Sequence, residues 1–318
     1  MPTYTGLITC NTANSNTGVP QCSFDFSLIE KVMLVPKGYK LTQTEVQLMK
    51  TTLQAKAYNS NETLRGYPIG IFVGMEDKST ETTTNTTSYG GMTFGKKGKF
   101  HFVFEYKNGG MNYDQMLNTF EQAQDSYDLL VFDKTGNAIV GTTPDANSSG
   151  YVLQGFSLEL IHCPLPKITP DGTSHYIGFA FADTSEFLSS MAYYALPKGD
   201  KVNSIVGLRN MELEVHTSFT TTTGKLRVTA DGRAVDLGPS FGTALAALSS
   251  SWAVVNNATG AAVTITSITY VAATQSLNFV LASSQTAGTE LTITTPTVAQ
   301  MTATVPGFGN ATLITTVV

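Results

Sequence analysis

The strongest constraint on the fold is the strict alternation in "KFHFVFEY", residues 99–106. Phe100, Phe102, Phe104 and Tyr106 occupy every second position, which places their rings on one face of a β-strand. A helix would scatter side chains of this period around its axis. We therefore expect a strand whose aromatic face enters a core, with His101 pointing away from that core.

Strand-like runs of this kind recur along the chain, and the composition agrees with them. Charged residues make up 14% of the 318 positions, against about a quarter in ordinary domains, and hydrophobic residues make up 42%. The uncharged remainder is biased toward Thr, Ser, Asn, Gly and Val, which favour strands and turns. The sequence predicts a mainly β protein that is long enough for two domains.

Two helices interrupt the strands of the first predicted domain. The segment "LTQTEVQLMKTTLQAKAY" opens with a capping box, Thr42 with Glu45 three positions later, and continues with apolar residues at helical spacing. The segment "NYDQMLNTFEQAQDSY" is the second helix, with Asn112 as its expected cap.

The same domain carries six strand segments, one of which folds into a hairpin that turns at Lys134–Asn137. They are "SLIEKVMLVP", "YPIGIFVGME", "DLLVFDKTGNAIVGTT", "YVLQGFSLELIHC", "SHYIGFAFAD" and "SIVGLRNMELEVHTSF". With "KFHFVFEY" and the two helices, they predict an N-terminal β-sandwich or barrel.

The composition changes near "HTSFTTTTGKLRVTADG", which predicts a domain boundary between residues 220 and 221. Beyond it charge nearly vanishes, and short strands recur roughly ten residues apart. The expected strands are "KLRVTA", "SSWAVVN", "AAVTITSITYV", "QSLNFVLA", "ELTIT", "MTATV" and "TLITTVV". Seven such strands with Trp252 near the middle predict an immunoglobulin-like sandwich over residues 221–318, without the cysteine pair of antibody domains.

Motifs that carry chemistry are missing from the sequence. The four histidines, His101, His162, His175 and His216, are not at metal-ligand spacing, so we expect structural or surface roles for each. There is no nucleophile elbow, phosphate-binding loop or dinucleotide fingerprint. We predict no catalytic, cofactor-binding or metal site, and a binding or building protein rather than an enzyme.

The remaining sequence features concern compartment and partners. A net charge of −5 gives no basic footprint for nucleic acid, and no apolar stretch is long enough for a membrane span. The N-terminus lacks the pattern of a secretory signal, so we expect synthesis and use in a cytoplasm. The sequence leaves open whether Cys10 and Cys22 pair. In a reducing compartment we expect them and Cys163 to be free thiols.

Most of the chain resembles structural proteins of tailed phages of Bacteroidetes hosts. The N-terminal resemblance is carried by "VMLVPKGYKL", "YPIGIFVGMEDKSTE" and "SYGGMTFGKKGKFHFVFEYKNGGMNYDQMLNTFEQAQDSYDLLVFDKTGNAIVGTT". The C-terminal "SSSWAVVNNATGAAVTITSITYVAATQSLNFVL" resembles the Ig-like domain often appended to such proteins. The order of elements is most similar to that of a tail tube subunit.

This resemblance implies a non-enzymatic virion protein located in the phage tail and assembled in the host cytoplasm. Its expected partners are copies of itself, in rings expected to be hexameric that stack into a tube, and other virion proteins. Genomic DNA would pass through the channel without specific binding. The alternatives are a capsid decoration or head–tail connector protein, a carbohydrate-binding or adhesin-like module, and a glycan-active enzyme.

One segment, residues 75–99, is predicted to be an extended β-arm that pairs with a neighbouring subunit. Threonine favours strands, and the glycines of this segment are read as turn signals. Acids precede bases along it, so its two ends are expected to carry opposite charge. The candidate assembly residues are Glu76, Asp77, Glu81, Tyr89, Gly90, Gly91, Phe94, Lys96, Lys97 and Lys99.

Overall fold

The computed structural model describes residues 28–59, 61–107, 110–144, 151–169, 172–184, 186, 190–194, 202–231 and 233–318. The chain forms two compact units. The first comprises Met1–Ala57 and Thr63–Val206, and the second comprises Tyr58–Glu62 and Gly207–Val318. Cys10 and Cys22 lie outside the described residues, so their pairing stays an open question.

The prediction of a mainly β protein is confirmed. In the first unit the helices are α1 (Gln43–Gln47), α2 (Met49–Ala57) and α3 (Gly110–Gln122). Its strands are β1 (Ile29–Pro36), β2 (Lys40–Leu41), β3 (Tyr67–Ile69), β4 (Gly74–Asp77), β5 (Thr84–Thr86), β6 (Met92–Phe94), β7 (His101–Tyr106), β8 (Tyr127–Asp133), β9 (Ala138–Pro144), β10 (Tyr151–Gln154), β11 (Phe156–His162), β12 (Lys167–Thr169), β13 (Gly172–Phe181) and β14 (Met191–Tyr194).

Twelve of these strands form one hydrogen-bonded sheet. Its main path runs β2-β10-β9-β8-β11-β13-β7-β4. Branches add β1 and β3 beside β8, β12 beside β13, and β14 beside β9. In the region where the sequence predicts a sandwich or barrel, hydrogen bonds thus link twelve strands into one branched sheet. Strands β5 and β6 form a separate two-stranded ribbon.

The aromatic face of β7 is buried as its alternation predicted. Phe102, Phe104 and Tyr106 are buried and belong to one core cluster with residues of β8, β11, β13 and α3. The ring of Phe102 meets Phe181 of β13 edge-on, at 5.9 Å between centroids. Aromatic burial and ring–ring contacts of this kind dominate the stability of such a core.

Several predicted boundaries in the first unit are wrong in detail. The capping box of Thr42 and Glu45 is present, but the helix it starts is interrupted at Leu48. Helix α3 begins at Gly110, so Asn112 lies inside it and cannot be its cap.

Two predicted strands are broken at glycines. The segment "YPIGIFVGME" divides after Ile69, where Gly70 has φ +119°, a value that β-branched residues avoid. The segment "YVLQGFSLELIHC" divides at Gly155, where a Cβ atom would lie 2.8 Å from the Cβ of Asp128. Each glycine therefore marks a bend or close approach that a larger residue would obstruct.

The described residues of the second unit form two sheets and two α-helices. The helices are α4 (Gly238–Ala247) and α5 (Val298–Met301). The strands are β15 (Met211–Thr217), β16 (Thr223–Ala230), β17 (Val235–Asp236), β18 (Ala253–Asn256), β19 (Ala261–Ala262), β20 (Ile265–Val271), β21 (Ser276–Leu281), β22 (Glu290–Thr294) and β23 (Thr312–Thr316).

The strand orders are β15-β16-β21-β20, with β17 on β16, and β19-β18-β22-β23. If these strands are lettered A to G along the chain, with β17 left out and β19 as C′, the orders read ABED and C′CFG, the order of an immunoglobulin-type sandwich. Trp252 lies immediately before strand C and packs edge-on against Phe279 of strand E at 5.1 Å. This order supports the expected arrangement of the C-terminal part.

Two segments of the second unit differ from expectation. Helix α4 was not predicted, although Pro239 in its first turn and the run "TALAAL" favour it. Its last turn is fixed by Trp252, whose indole N–H donates to the carbonyl of Leu245 at 3.0 Å. The predicted strand "MTATV" is wrong, because helix α5, which the capping box of Thr297 and Gln300 starts, ends at Met301 and is followed by turns.

The boundary between the units also differs from the predicted position at 220/221. Strand β15 pairs along its length with β16, from Met211↔Ala230 to Thr217↔Lys225. The units consequently divide at Val206 and Gly207. The composition does not change until after β15, which explains why sequence alone placed the boundary later.

Candidate functional site

The predicted arm is a long antiparallel hairpin that continues β4 and β7 beyond the sheet. Strand β4 pairs with β7 up to Asp77↔Phe102. Past that point the backbone N–H of Lys78 donates to the carbonyl of His101 at 2.8 Å, and that of Thr83 donates to Lys96 at 2.8 Å. The ribbon then becomes β5 paired with β6. The Thr-rich segment is thus ordered β structure.

The hairpin closes in a turn between Thr87 and Gly91. The N–H of Gly90 donates to the carbonyl of Thr87 at 2.9 Å, and the N–H of Thr87 donates to the carbonyl of Gly91 at 2.7 Å. Gly90 has φ +76°, the left-handed region that favours glycine. Gly90 and Gly91 therefore act as the turn residues that the sequence indicated.

Gly95 and Gly98 have a different role from the predicted one. They lie on the returning strand, where the outgoing strand approaches closely. A Cβ atom on Gly98 would overlap the carbonyl oxygen of Thr80, and one on Gly95 would lie 2.8 Å from the carbonyl oxygen of Thr83. These two glycines allow the outgoing and returning strands of the hairpin to approach each other closely.

The tip of the hairpin has two chemically different faces. Residues directly opposite each other across a ladder point to the same side. The pairs Thr84↔Phe94 and Thr86↔Met92 therefore share one face, and Asn85↔Thr93 lies on the other. Phe94 is 67% exposed, Met92 is 75% exposed, and Tyr89 in the turn is fully exposed. The hairpin thus displays apolar side chains that its own chain leaves uncovered.

The sequence suggested that the acids and the bases of the arm lie at its opposite ends. The structure shows that they do not. Because the chain folds back, the strand that carries Glu81 runs beside the strand that carries Lys96 and Lys97, so both signs meet at the base of the hairpin. Lys99 forms an ion pair with Glu159 of β11.

The first two acids of the segment are engaged locally on the outgoing strand. Glu76 pairs with Lys78 at 2.5 Å. Asp77 accepts a hydrogen bond from the N–H of Ser79 at 2.8 Å. Several charged side chains at the base of the hairpin therefore form ion pairs or hydrogen bonds within the chain itself.

A buried polar cluster fastens helix α3 to the sheet. Asp114 of α3 accepts hydrogen bonds from the hydroxyl of Tyr106 and from Nδ1 of His175, each at 2.5 Å. Burial, and then the carboxylate of Asp114, raise the pKa of Tyr106 far above its usual range. Since both carboxylate oxygens are occupied, the cluster is suited to anchoring the helix, which agrees with the structural role expected for His175.

The other two histidines of the first unit come together at the base of the hairpin. His101 of β7 and His162 of β11 have ring centroids 5.0 Å apart, with planes at 64°. They line a cavity of about 340 Å³ together with Glu76, Lys78 and Tyr176, among others. Sequence reasoning missed this pair, because the two residues are distant in the chain and only sheet pairing unites them.

Comparison with protein-family models, with curated proteins and with solved structures finds no match for this chain. Its function must therefore be argued from its own geometry.

Among the described residues, no helix is both long enough and apolar enough to cross a membrane. Nor does the described part of the chain hold a group of three or more His, Cys, Asp or Glu side chains placed to bind a metal ion.

Proposed function

We propose that this chain is a self-assembling structural protein of a virion, a tail tube subunit that forms stacked rings around a DNA channel. The hairpin formed by β5 and β6, which we call the arm tip, makes the contact with a neighbouring copy. The tail tube assignment rests on the sequence resemblance to tailed-phage proteins, whereas the assembly role rests on the arm itself.

The observation that carries the proposal is the arm tip. Among the described strands, β5 and β6 pair only with each other. A two-stranded ribbon is marginally stable alone, and it becomes stable when its apolar face is covered. Phe94 and Met92 provide such a face. A second copy of the chain is the partner that ring assembly requires, and a heterologous contact of this kind closes into a ring when the rotation allows it.

The experiment compares the purified full-length protein with two arm variants by negative-stain electron microscopy and light scattering. The first variant lacks residues 79–98. The second replaces residues 84–95 with Asn-Gly, a two-residue turn that closes a hairpin and keeps the pairing at the base. We expect rings or tubes from the full-length protein and folded, soluble monomers from both variants.

Two outcomes would contradict the proposal. Monomers of the full-length protein that persist at high concentration exclude self-assembly, and glycan-array binding by those monomers would favour the adhesin-like alternative. Polymers formed by both variants would exclude the arm as the contact while leaving assembly intact. Circular dichroism of each variant verifies that the body of the first unit still folds.

A further inference from the structure

The cavity at the base of the arm contains an arrangement that the proposed function does not use. His162 of β11 lies beside β13, at the register His162↔Gly178, and Gly178 lies opposite Val103 of β7. A Cβ atom on Gly178 would overlap the imidazole of His162. The absence of a side chain there lets the His162 ring lie across β13, toward His101 on β7.

Each of the two rings carries one buried nitrogen atom that is not hydrogen-bonded. These atoms are Nε2 of His101 and Nδ1 of His162, which have no hydrogen-bond partner among the described residues. A buried polar atom without a partner carries a desolvation cost, so two such atoms on rings whose centroids are 5.0 Å apart require an explanation. The pair therefore calls for a ligand that accepts two nitrogen lone pairs.

A neutral imidazole is the form of the histidine side chain that binds metal ions.

We propose that His101 and His162 form a two-nitrogen site for a divalent transition metal ion such as Zn²⁺ or Ni²⁺. When two imidazoles bind one ion at about 2.0–2.1 Å with a near-tetrahedral angle, their ring centroids are about 5 Å apart. The centroids of His101 and His162 are separated by 5.0 Å. Imidazole ligands suit both of these metals.

The other residues that line the cavity determine how many ligands the protein supplies and how tightly the site binds a metal ion. Glu76 lines it but is paired with Lys78 at 2.5 Å, so the protein supplies two ligands and water completes the coordination. Lys167 also lines the cavity, and its charge together with that of Lys78 opposes a cation, which keeps the affinity modest. A bound ion would join β7 to β11 where the arm leaves the sheet, and would stiffen the base of the arm.

The test is isothermal titration of the full-length protein with Ni²⁺, and separately with Zn²⁺, at neutral pH. His101→Gln and His162→Gln each remove one ligand and keep a polar side chain. His216→Gln is the matched control, because His216 is an exposed histidine of the second unit. We expect either ligand variant to weaken one binding event by about tenfold or more, the lower end of what even an outer-shell partner contributes. The control should leave that event unchanged.

A second measurement keeps the test decisive if a variant folds poorly. Electron paramagnetic resonance of the wild-type protein with one equivalent of Cu²⁺ should show coupling to two imidazole nitrogens. No saturable binding of Ni²⁺ or Zn²⁺, equal binding by all four proteins, or Cu²⁺ coupling to fewer than two nitrogens would each overturn the proposal.

Discussion

Phe94 lies directly opposite Thr84 across the arm hairpin, and the two side chains point to the same side of the ribbon. Thr86 and Met92 form the next pair on that side. Methyl groups, a thioether and a phenyl ring therefore cover one face, while Asn85 and Thr93 mark the other. Mutations on the two faces therefore test which of them makes the proposed contact with another copy.

The first prediction compares charges on the two faces of the arm tip. Phe94→Asp places a carboxylate on the apolar face, whereas Thr93→Asp places the same charge on the opposite face one residue away. We expect Phe94→Asp to abolish polymers in light scattering, because a partner would have to bury an unpaired charge. Thr93→Asp should still polymerise. Equal effects of the two substitutions would show that the apolar face is not the contact.

The second prediction concerns the close approach at Gly98. Gly98→Ala would push the returning strand away from the carbonyl of Thr80, which would break the pairing at the base of the arm. Gly91→Ala is the control, since its Cβ atom would meet only the hydroxyl of Thr87, at 3.1 Å. We expect limited proteolysis to cleave the arm of Gly98→Ala much faster than that of Gly91→Ala, with little change in the melting temperature of either variant. Equal cleavage would contradict the assigned role of Gly98.

The third prediction tests the core face of β7. Phe102 is 3% exposed and packs on Phe181. Phe102→Asp should lower the free energy of unfolding by roughly 3–5 kcal/mol or more, because even truncation to alanine costs about that much and the carboxylate adds a desolvation penalty. Phe102→Leu, which keeps an apolar side chain, should cost much less. Chemical denaturation gives both values. Unchanged stability of the Phe102→Asp variant would show that this face of β7 does not belong to the core.

The fourth prediction is a pH dependence that arises from His101 and His162. Both pKa values are lowered in the folded protein, so the unfolded chain binds protons first as the pH falls. Their contribution to stability is fully present above the unfolded value of about 6.5 and is lost as the pH drops through the lower folded values. The double variant His101→Gln/His162→Gln should lose less stability than the wild type between about pH 6.5 and 5. Parallel pH profiles would contradict this assignment.

Local signals in the sequence were sufficient wherever one short segment decides the structure. The capping box of Thr42 and Glu45, the turn at Lys134–Asn137 and the buried alternation of β7 depend on neighbours within a few residues, and the structure contains all three. The interruption at Gly155 was missed because it depends on what the chain packs against. Gly155 lies against the Cβ of Asp128 on β8.

Helix α4 shows how a compositional bias can mislead. Its segment "GPSFGTALAALSS" lies in a Thr/Val-rich region that favours strands, and its two glycines weaken the helical pattern. Packing decides in favour of the helix, because Gly242 leaves room for the ring of Tyr270 on β20. Pro239 and the alanines and leucines of this segment do favour a helix, but the contact with Tyr270 that decides the structure is long-range.

The flanking strands and the threonines were enough to predict that the arm is a β element. The positions of its charges and of its apolar face could be found only from the pairing register of its two strands. Knowing that Thr83 pairs with Lys96 moves the acids and bases to the same end. The pairing of His101 with His162 was inaccessible to sequence reasoning, since it depends on the order β11-β13-β7 and on Gly178 between them.

The stretch from Thr82 to Gly95 contains no side chain that is charged at neutral pH, while the charges of the arm collect at its base. An interface made by the tip alone would therefore be almost indifferent to ionic strength, because counterions screen charges and leave apolar burial intact. Salts that are excluded from protein surfaces, such as sulfate, would strengthen it. Polymers held by this tip should accordingly survive high salt, an environment in which assemblies joined mainly by ion pairs come apart.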